Sequence, residues 1–221
     1  MHRMHNTPTT QHGPHTTGTT IHWAPQYDLF TRLAGLGVNR PNSRMVVELA
    51  QIRPGESILD VGCGTGNLTL TAKSSAGAAG KVCGIDAAPE MIEVARKKAA
   101  ESALDVTFEV GLVEQLPYPD ASFDVVINRL MIHHLPGDLK RQAFAEILRV
   151  LKPGARLLIT DFNPPSNPVL NHIATALVGP QMMQVNITDI LPMLTAAGFQ
   201  DLTSGPTRSA FLNYVSAKKP A

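Results

Sequence analysis

Short apolar runs and longer amphipathic stretches alternate along the chain and predict an α/β fold. Runs suited to buried strands lie at 57–61, 81–85, 106–110, 124–128 and 155–162. Amphipathic helices are predicted between them, beginning at Asn67, at Pro89 and near Leu139. Strands that alternate with helices in this way build a mostly parallel sheet with helices on both faces. The segments 199–203 and 210–217 predict a closing hairpin that adds an antiparallel strand.

The turn after the first predicted strand is rich in glycine. Gly62, Gly64 and Gly66 let the backbone turn sharply and approach a ligand closely, because no Cβ stands in the way. Asp60 interrupts the apolar run near the carboxyl end of the strand, where open α/β sheets bind their ligands. Asn67 opens a helix whose free N–H groups face that ligand. An ordinary connection between strand and helix is the alternative interpretation.

The second predicted strand ends at Asp86, about 20 residues after Gly66, where a nucleoside-binding unit places the acid that binds ribose. A carboxylate there accepts two ribose hydroxyls and repels a 2′-phosphate, so NADP is disfavoured. The dinucleotide fingerprint also requires Gly or Ala where this chain has Asn67. An NAD-dependent dehydrogenase, which needs a catalytic Tyr/Lys or His pair, is therefore a weaker alternative.

Four motifs occur in an order that resembles the class I S-adenosylmethionine-dependent methyltransferases. They are residues 59–66, 84–86 with Met91, 116–119 with 123–124, and 149–154. Within that family the chain is most similar to the ubiquinone/menaquinone biosynthesis C-methyltransferases and the bacterial phospholipid N-methyltransferases. The resemblance extends over residues 23–218. It implies a Rossmann-like, seven-stranded, mostly parallel sheet with an antiparallel C-terminal strand, and S-adenosyl-L-methionine as cofactor.

The same resemblance implies in-line transfer of a methyl group to a small apolar or lipid-like acceptor, at a quinol-type carbon or oxygen or at an amine nitrogen. Asp60 and the glycine turn would hold the methionine end of the cofactor, Asp86 the ribose, and Asn128 the region around the sulfur. Residues near the adenine would include Met91. The full set of expected cofactor-binding residues is Asp60, Gly62, Gly64, Gly66, Asp86, Ala87, Met91, Leu112, Val113 and Asn128.

Leu112 departs from the family pattern, because many relatives carry an Asp there that binds the adenine amino group. Leu112 offers only apolar contact and its backbone. A binding or regulatory protein that kept the fold and lost the chemistry is therefore an alternative function.

His133, His134 and Tyr27 are the candidate catalytic residues. A carbon or oxygen acceptor requires a base, for which Asp161 is a further candidate, whereas a neutral amine needs only alignment and desolvation. Structural roles are the alternative for Tyr27 and for the histidine pair. The quinone-biosynthesis enzymes carry a different signature where this chain has His133 and His134.

Composition sets the remaining expectations. The 221 residues suit one domain from residue 21 onward, after a flexible, Thr-, His- and Pro-rich tail at 1–20. The net charge of +1 gives no reason to expect a nucleic-acid partner. Two cysteines make no disulfide framework and favour the cytoplasm, and no apolar run has membrane-spanning length.

The histidines of the N-terminal segment have neither carboxylates nor cysteines among them, so no metal site is expected. The apolar segment 169–185, which includes Met182 and Met183, is a candidate lid over the acceptor, and simple cover of the sheet face is the alternative. Peripheral contact with a membrane is compatible with these features.

Overall fold

A computed structural model describes residues 40–164, 167–178, 186–209 and 212–221. Within them one sheet has seven strands in the order β3-β2-β1-β4-β5-β7-β6. The strands are β1 (Ser57–Val61), β2 (Lys81–Asp86), β3 (Thr107–Val110), β4 (Phe123–Arg129), β5 (Leu151–Phe162), β6 (Gln200–Pro206) and β7 (Leu212–Lys218). The α-helices are α1 (Arg40–Leu49), α2 (Asn67–Ala76), α3 (Pro89–Glu101), α4 (Gly137–Val150), α5 (Pro168–Val178) and α6 (Leu191–Ala197). Two short 3-10 helices span Ile132–His134 and Ile187–Ile190.

Strand pairing confirms the predicted Rossmann-like sheet. β1 pairs in parallel with β2 on one side and with β4 on the other, while β7 runs antiparallel to both β5 and β6. The strand order reverses between β1 and β4. In open α/β sheets the crevice at such a reversal, beyond the carboxyl ends of the strands, is where ligands bind.

Alternation along β1 distributes the core over the two faces of the sheet. Leu59 and Val61 belong to an apolar cluster that includes Phe144 of α4 and Leu194 of α6. Ile58 points the other way, into a cluster with residues of α1 and α2. Helices therefore cover both faces, as predicted.

The sequence predicts Ser43 and Thr188 as helix caps and Gly198 as the end of the last helix, and the two predicted caps are wrong. Ser43 lies inside α1, fully buried, where its Oγ accepts a hydrogen bond of 2.9 Å from Arg129 Nη1. Asn186, rather than Thr188, caps the second 3-10 helix, because its side chain accepts from Thr188 N. Gly198 does end α6, with φ of 103°. The predicted tail at 1–20, Tyr27, Met182 and Met183 lie outside the described residues.

Candidate functional site

The glycine turn is fixed against the end of β2. The backbone N–H groups of Gly62 and Cys63 both donate to the Ile85 carbonyl, at 2.8 and 3.0 Å. Gly62, Gly64 and Gly66 have φ values of 69°, 52° and 80°, in the left-handed region that favours glycine. The sequence prediction of a tight turn at this point is confirmed.

The three glycines face different surroundings. A methyl group added to Gly66 would lie 2.7 Å from the Phe108 ring and 2.9 Å from the Ala95 side chain, and one on Gly62 would collide with Met131. A methyl group on Gly64 would meet no atom within 4 Å. Gly66 and Gly62 thus permit close packing, whereas Gly64 leaves open space in front of the turn.

Asp86 connects the turn to the end of β2. Its carboxylate accepts 2.8 Å from Gly64 N and 2.9 Å from Ala88 N. Burial raises the pKa of Asp86, and the two backbone donors, Ala88 first, oppose this shift. A carboxylate offers about four acceptor positions, so two remain for hydroxyl groups of a ligand. Ala87, which follows it, is half-buried.

Asp60 lies in the interior, just before the turn. Its side chain is 1% exposed, and its Oδ2 accepts a hydrogen bond of 2.6 Å from the Thr69 hydroxyl. Burial raises the pKa of Asp60 to about 7, although Thr69 and the positive charge of Arg129 act in the opposite direction. A cation bound nearby would therefore favour the ionised form of this carboxyl group.

Asn128 spans the gap between β4 and β1. Its Nδ2 donates to the Val61 carbonyl at 2.6 Å, which fixes the orientation of the amide. The Oδ1 atom is buried and has no hydrogen-bond partner among the described residues. Leu130 follows with φ of 57°, a costly conformation for a residue with a side chain, and such strain clusters at functional sites.

Three further predicted residues lie beyond the ends of β2 and β3. Leu112 is half-buried, Val113 is buried in the main core, and Met91 is only 3% exposed, packed with Ala88 and Val94. The segment that contains Leu112 and Val113 is held near Asp86, because the N–H of Gly111 donates to the Asp86 backbone carbonyl at 3.0 Å.

A second polar cluster lies where β4 and β5 end. His133 Nδ1 is 2.7 Å from Asp161 Oδ1, and the His133 backbone N–H donates to Asp161 Oδ2 at 3.1 Å. The side chains are only 5% and 2% exposed. His133 Nε2 is buried without a hydrogen-bond partner among the described residues. The ring packs edge-on against Phe162, with centroids 5.2 Å apart.

His134 lies against His133, with ring centroids 4.0 Å apart. The pKa of His134 is lowered to about 4, mainly by burial and also by the charge of His133, while Asp161 opposes the shift. His134 is therefore neutral near pH 7. Of the three predicted catalytic side chains, the structure brings the two histidines together, and Tyr27 is not described.

Sequence reasoning missed the hydrogen bond between His133 and Asp161, although it named both residues. They are 28 positions apart, and the available signal was that each follows one of two neighbouring strands. It also missed Met131, which packs on Gly62. No local pattern marks Met131 as a neighbour of the turn.

Comparison with known families agrees with this geometry. Residues 58–154 match the family described as methyltransferase domain. This segment of the chain is therefore similar to methyltransferase domains. That segment includes the glycine turn, Asp86, Asn128 and the histidine pair, so the resemblance recognised from the motifs is confirmed.

Relatives and solved structures extend the comparison. The chain is 38% identical over 144 residues to a demethylmenaquinone methyltransferase of Deinococcus radiodurans, covering 65% of this chain and 58% of that protein. It is 37% identical over 149 residues to the ubiquinone/menaquinone biosynthesis C-methyltransferase of Ectopseudomonas mendocina, covering 66% and 57%. The chain thus spans less than two thirds of either relative. A SAM-dependent methyltransferase from Aquifex aeolicus shares the fold, with a TM-score of 0.71 at 23% identity, covering 86% of this chain and 97% of that one.

The weaker dehydrogenase interpretation required a catalytic Tyr/Lys or His pair. Tyr214 and Lys218 have the Tyr-x-x-x-Lys spacing, but both lie on β7. Four residues of extended strand separate them by about 13 Å along the chain, so they do not form such a pair.

None of the helices in the described ranges combines the length and the apolar character needed to cross a bilayer. Nor do the same ranges contain a group of three or more His, Cys, Asp or Glu residues placed to hold a metal ion.

Proposed function

We propose that the chain is an S-adenosyl-L-methionine-dependent methyltransferase acting on a small quinol-type acceptor. The observation that carries the proposal is the open face of Gly64 beside the Asp86 carboxylate, at the point where the strand order reverses. A nucleoside with a charged amino-acid end suits this arrangement. The backbone of the turn can approach it closely, and the carboxyl groups of Asp60 and Asp86 can accept hydrogen bonds from its two ends.

The residues present fit the cofactor. Asp60 and the glycine turn would hold the methionine end, where the raised pKa of Asp60 marks a carboxyl group whose burial outweighs the hydrogen bond from Thr69 and the positive charge of Arg129. The two remaining acceptor positions of Asp86 would take the ribose hydroxyls. The unpartnered Oδ1 of Asn128 would accept a hydrogen bond near the sulfur. When bound, the cofactor supplies a methyl group on a positively charged sulfur.

The adenine would lie against Ala87, Met91, Leu112 and Val113. Because Leu112 replaces an acceptor by an apolar side chain, recognition of the adenine amino group falls to backbone groups. The missing hydrogen bond would weaken cofactor binding by about 1 kcal/mol. A larger loss would favour the second candidate, a binding or regulatory protein that has the fold but no longer transfers methyl groups.

The acceptor is inferred from the relatives and from the cluster beyond β4 and β5. Both relatives are named for quinone-biosynthesis reactions and are 37–38% identical to this chain. The His133 and Asp161 pair supports chemistry that moves a proton, which a quinol carbon or oxygen requires and a neutral amine does not. A hydrophobic small molecule, rather than a nucleic acid, is the proposed partner, and contact with a membrane surface would be peripheral. The free thiols of Cys63 and Cys83 support a reducing, cytoplasmic location.

Calorimetric titration tests the cofactor assignment. S-adenosylmethionine and S-adenosylhomocysteine are expected to bind with micromolar affinity, and NAD is not. Asp86→Ala should weaken the binding of both sulfur ligands at least tenfold, because it removes a charged acceptor. Asp105→Ala, at an exposed position, is the matched control and should bind like the parent.

Absence of binding by both sulfur ligands would refute the proposal. Binding without turnover, when a reduced quinol is supplied together with a methyl-labelled cofactor, would favour the degenerate protein. Incorporation of label into the quinol ring would establish the reaction and its acceptor atom.

A further inference from the structure

A cavity of about 170 Å³ lies beside the polar cluster at the ends of β4 and β5. Its lining includes His133, Asp161, Lys140 and Asp189, with apolar contacts from Ile187 and Met193. An apolar cavity of about 150 Å³ holds a benzene molecule. The cavity therefore has room for one benzenoid ring, with charged and neutral polar groups on part of its wall.

The chain connects this cavity directly to the glycine turn. Met131 packs on Gly62 in the turn, and His133 in the cavity wall is only two residues further along. Two residues of chain reach at most about 7.6 Å between Cα atoms. A ring in the cavity would thus lie next to the crevice that the cofactor is proposed to occupy.

The contacts of Asp161 determine what the imidazole of His133 can do. Asp161 accepts from the His133 backbone N–H and from Phe162 N, and its Oδ1 is 2.7 Å from His133 Nδ1. A carboxylate at that position is an acceptor, so the hydrogen-bond network places the imidazole proton on Nδ1. Nε2 then carries a lone pair, and it has no partner among the described residues.

We propose that Asp161 positions His133 so that Nε2 takes the hydroxyl proton of a phenolic acceptor ring bound in this cavity. The O–H bond breaks, its electron pair stays on the oxygen, and the proton forms a new N–H bond at Nε2. The resulting phenolate delocalises its charge onto the neighbouring ring carbons, which become better nucleophiles. The proton later leaves His133 for water. The assignment rests on the proposed function for the identity of the acceptor.

Neighbouring groups are consistent with this division of roles. Asp161 is engaged by three donors and is almost fully buried, so it acts on His133 rather than on the acceptor. His134, on the same 3-10 helix, is a weaker base because its pKa is lowered to about 4. Among the described residues, the charged side chains that line the cavity together with His133 are Asp161 of β5, Lys140 of α4 and Asp189 of the second 3-10 helix. Lys140 would favour a phenolate in the cavity, and Asp189 would oppose it.

The first experiment uses the cofactor-free protein with 4-nitrophenol, whose phenolate form is yellow. At a pH where the free dye is mainly protonated, the parent protein should bind it and increase the phenolate absorbance. Asp161→Asn, whose amide can donate to Nδ1 and move the imidazole proton to Nε2, should reduce that increase at least tenfold. His133→Gln should abolish it. Asp201→Asn, at an exposed site, is the control and should behave like the parent.

The second experiment separates proton removal from structural support. With a quinol acceptor, Asp161→Asn should lower kcat by about 10²–10⁴-fold and leave the affinity for S-adenosylhomocysteine unchanged. An acidic phenol that is already ionised at the assay pH should be methylated by the variant within threefold of the parent rate.

Equal losses on both acceptors, or an unchanged nitrophenol signal in Asp161→Asn and His133→Gln, would overturn the proposal. If Asp161→Asn loses S-adenosylhomocysteine binding through misfolding, the nitrophenol response of His133→Gln decides the question. Ionisation of the dye by a protein that binds neither sulfur ligand would support the proton-transfer pair and refute the proposed function, so the two failures are distinguishable.

Discussion

Gly64 and Gly66 share a left-handed backbone, yet a side chain would have different consequences at the two positions. At Gly66 the space is filled by Phe108 and Ala95, and at Gly64 it is open. Glycine therefore has a different structural role at each of these two positions. One glycine lets β3 and α3 pack against the turn, and the other leaves the ligand face of the turn free.

Alanine substitution separates these two effects. Gly64→Ala should lower the free energy of unfolding by about 1–2 kcal/mol, the cost of left-handed backbone, and should weaken S-adenosylhomocysteine binding more than tenfold. Gly66→Ala adds overpacking and should cost about 2–5 kcal/mol of stability. Urea denaturation and calorimetry measure the two quantities. Equal stability losses at both sites would contradict the packing difference.

At the scale of elements, Arg149 joins α4 to the segment that leads into β4. Its guanidinium donates to both carboxylate oxygens of Glu146, and to the carbonyls of Leu116 and Tyr118. Glu146 in turn accepts from the Leu116 N–H at 2.8 Å. Two of the motifs in the sequence, at 116–119 and 149–154, are therefore parts of one contact. That contact fixes the approach to the strand that carries Asn128.

Arg149→Lys tests this contact, because an ammonium keeps the charge and loses the planar fork of donors. We expect the free energy of unfolding to fall by about 1–3 kcal/mol, since backbone carbonyls lose their partner. Arg141→Lys on the same helix is the control. Among the residues that the structure describes, Arg141 pairs with exposed Asp138, so the change should stay within about 0.5 kcal/mol. Similar effects of the two substitutions in urea denaturation would show that the contact adds no stability.

Across the whole molecule, the structural features that could be predicted from the sequence are those that depend on residues close together in the chain. The strand runs, the glycine turn and Asp86 each depend on residues within one βαβ unit. The bond between His133 and Asp161 depends on which strands are neighbours, and the burial of Ser43 depends on Arg129, 86 positions away. The wrong cap at Thr188 has a local origin instead, because Asn and Thr suit a helix start almost equally well and Asn186 lies two positions earlier.

The free energy of unfolding of the whole molecule should depend on the protonation state of Asp60. The pKa of Asp60 is raised from 3.8 to about 7 in the folded protein, so between these pH values the folded state binds more protons than the unfolded state. Stability therefore falls as the pH rises from about 4 to 7, by up to about 4 kcal/mol from this group. The loss is complete above pH 7. Asp124 acts oppositely at low pH, because burial raises its pKa but the hydrogen bonds from Lys152 and Ser57 and the nearby positive charges together lower it.

Asp60→Asn removes the buried titration while an amide oxygen can still accept from Thr69. Compared with the parent, the variant should have similar stability at pH 4 and higher stability at pH 8, by up to about 4 kcal/mol. Contributions of the other groups cancel in this difference, which urea denaturation from pH 4 to 8 measures. Parallel curves for the two proteins would contradict the assignment. The same variant should bind S-adenosylmethionine more weakly. In the parent, the ammonium group of the ligand would stabilise the buried Asp60 carboxylate, and a neutral amide gains no such stabilisation.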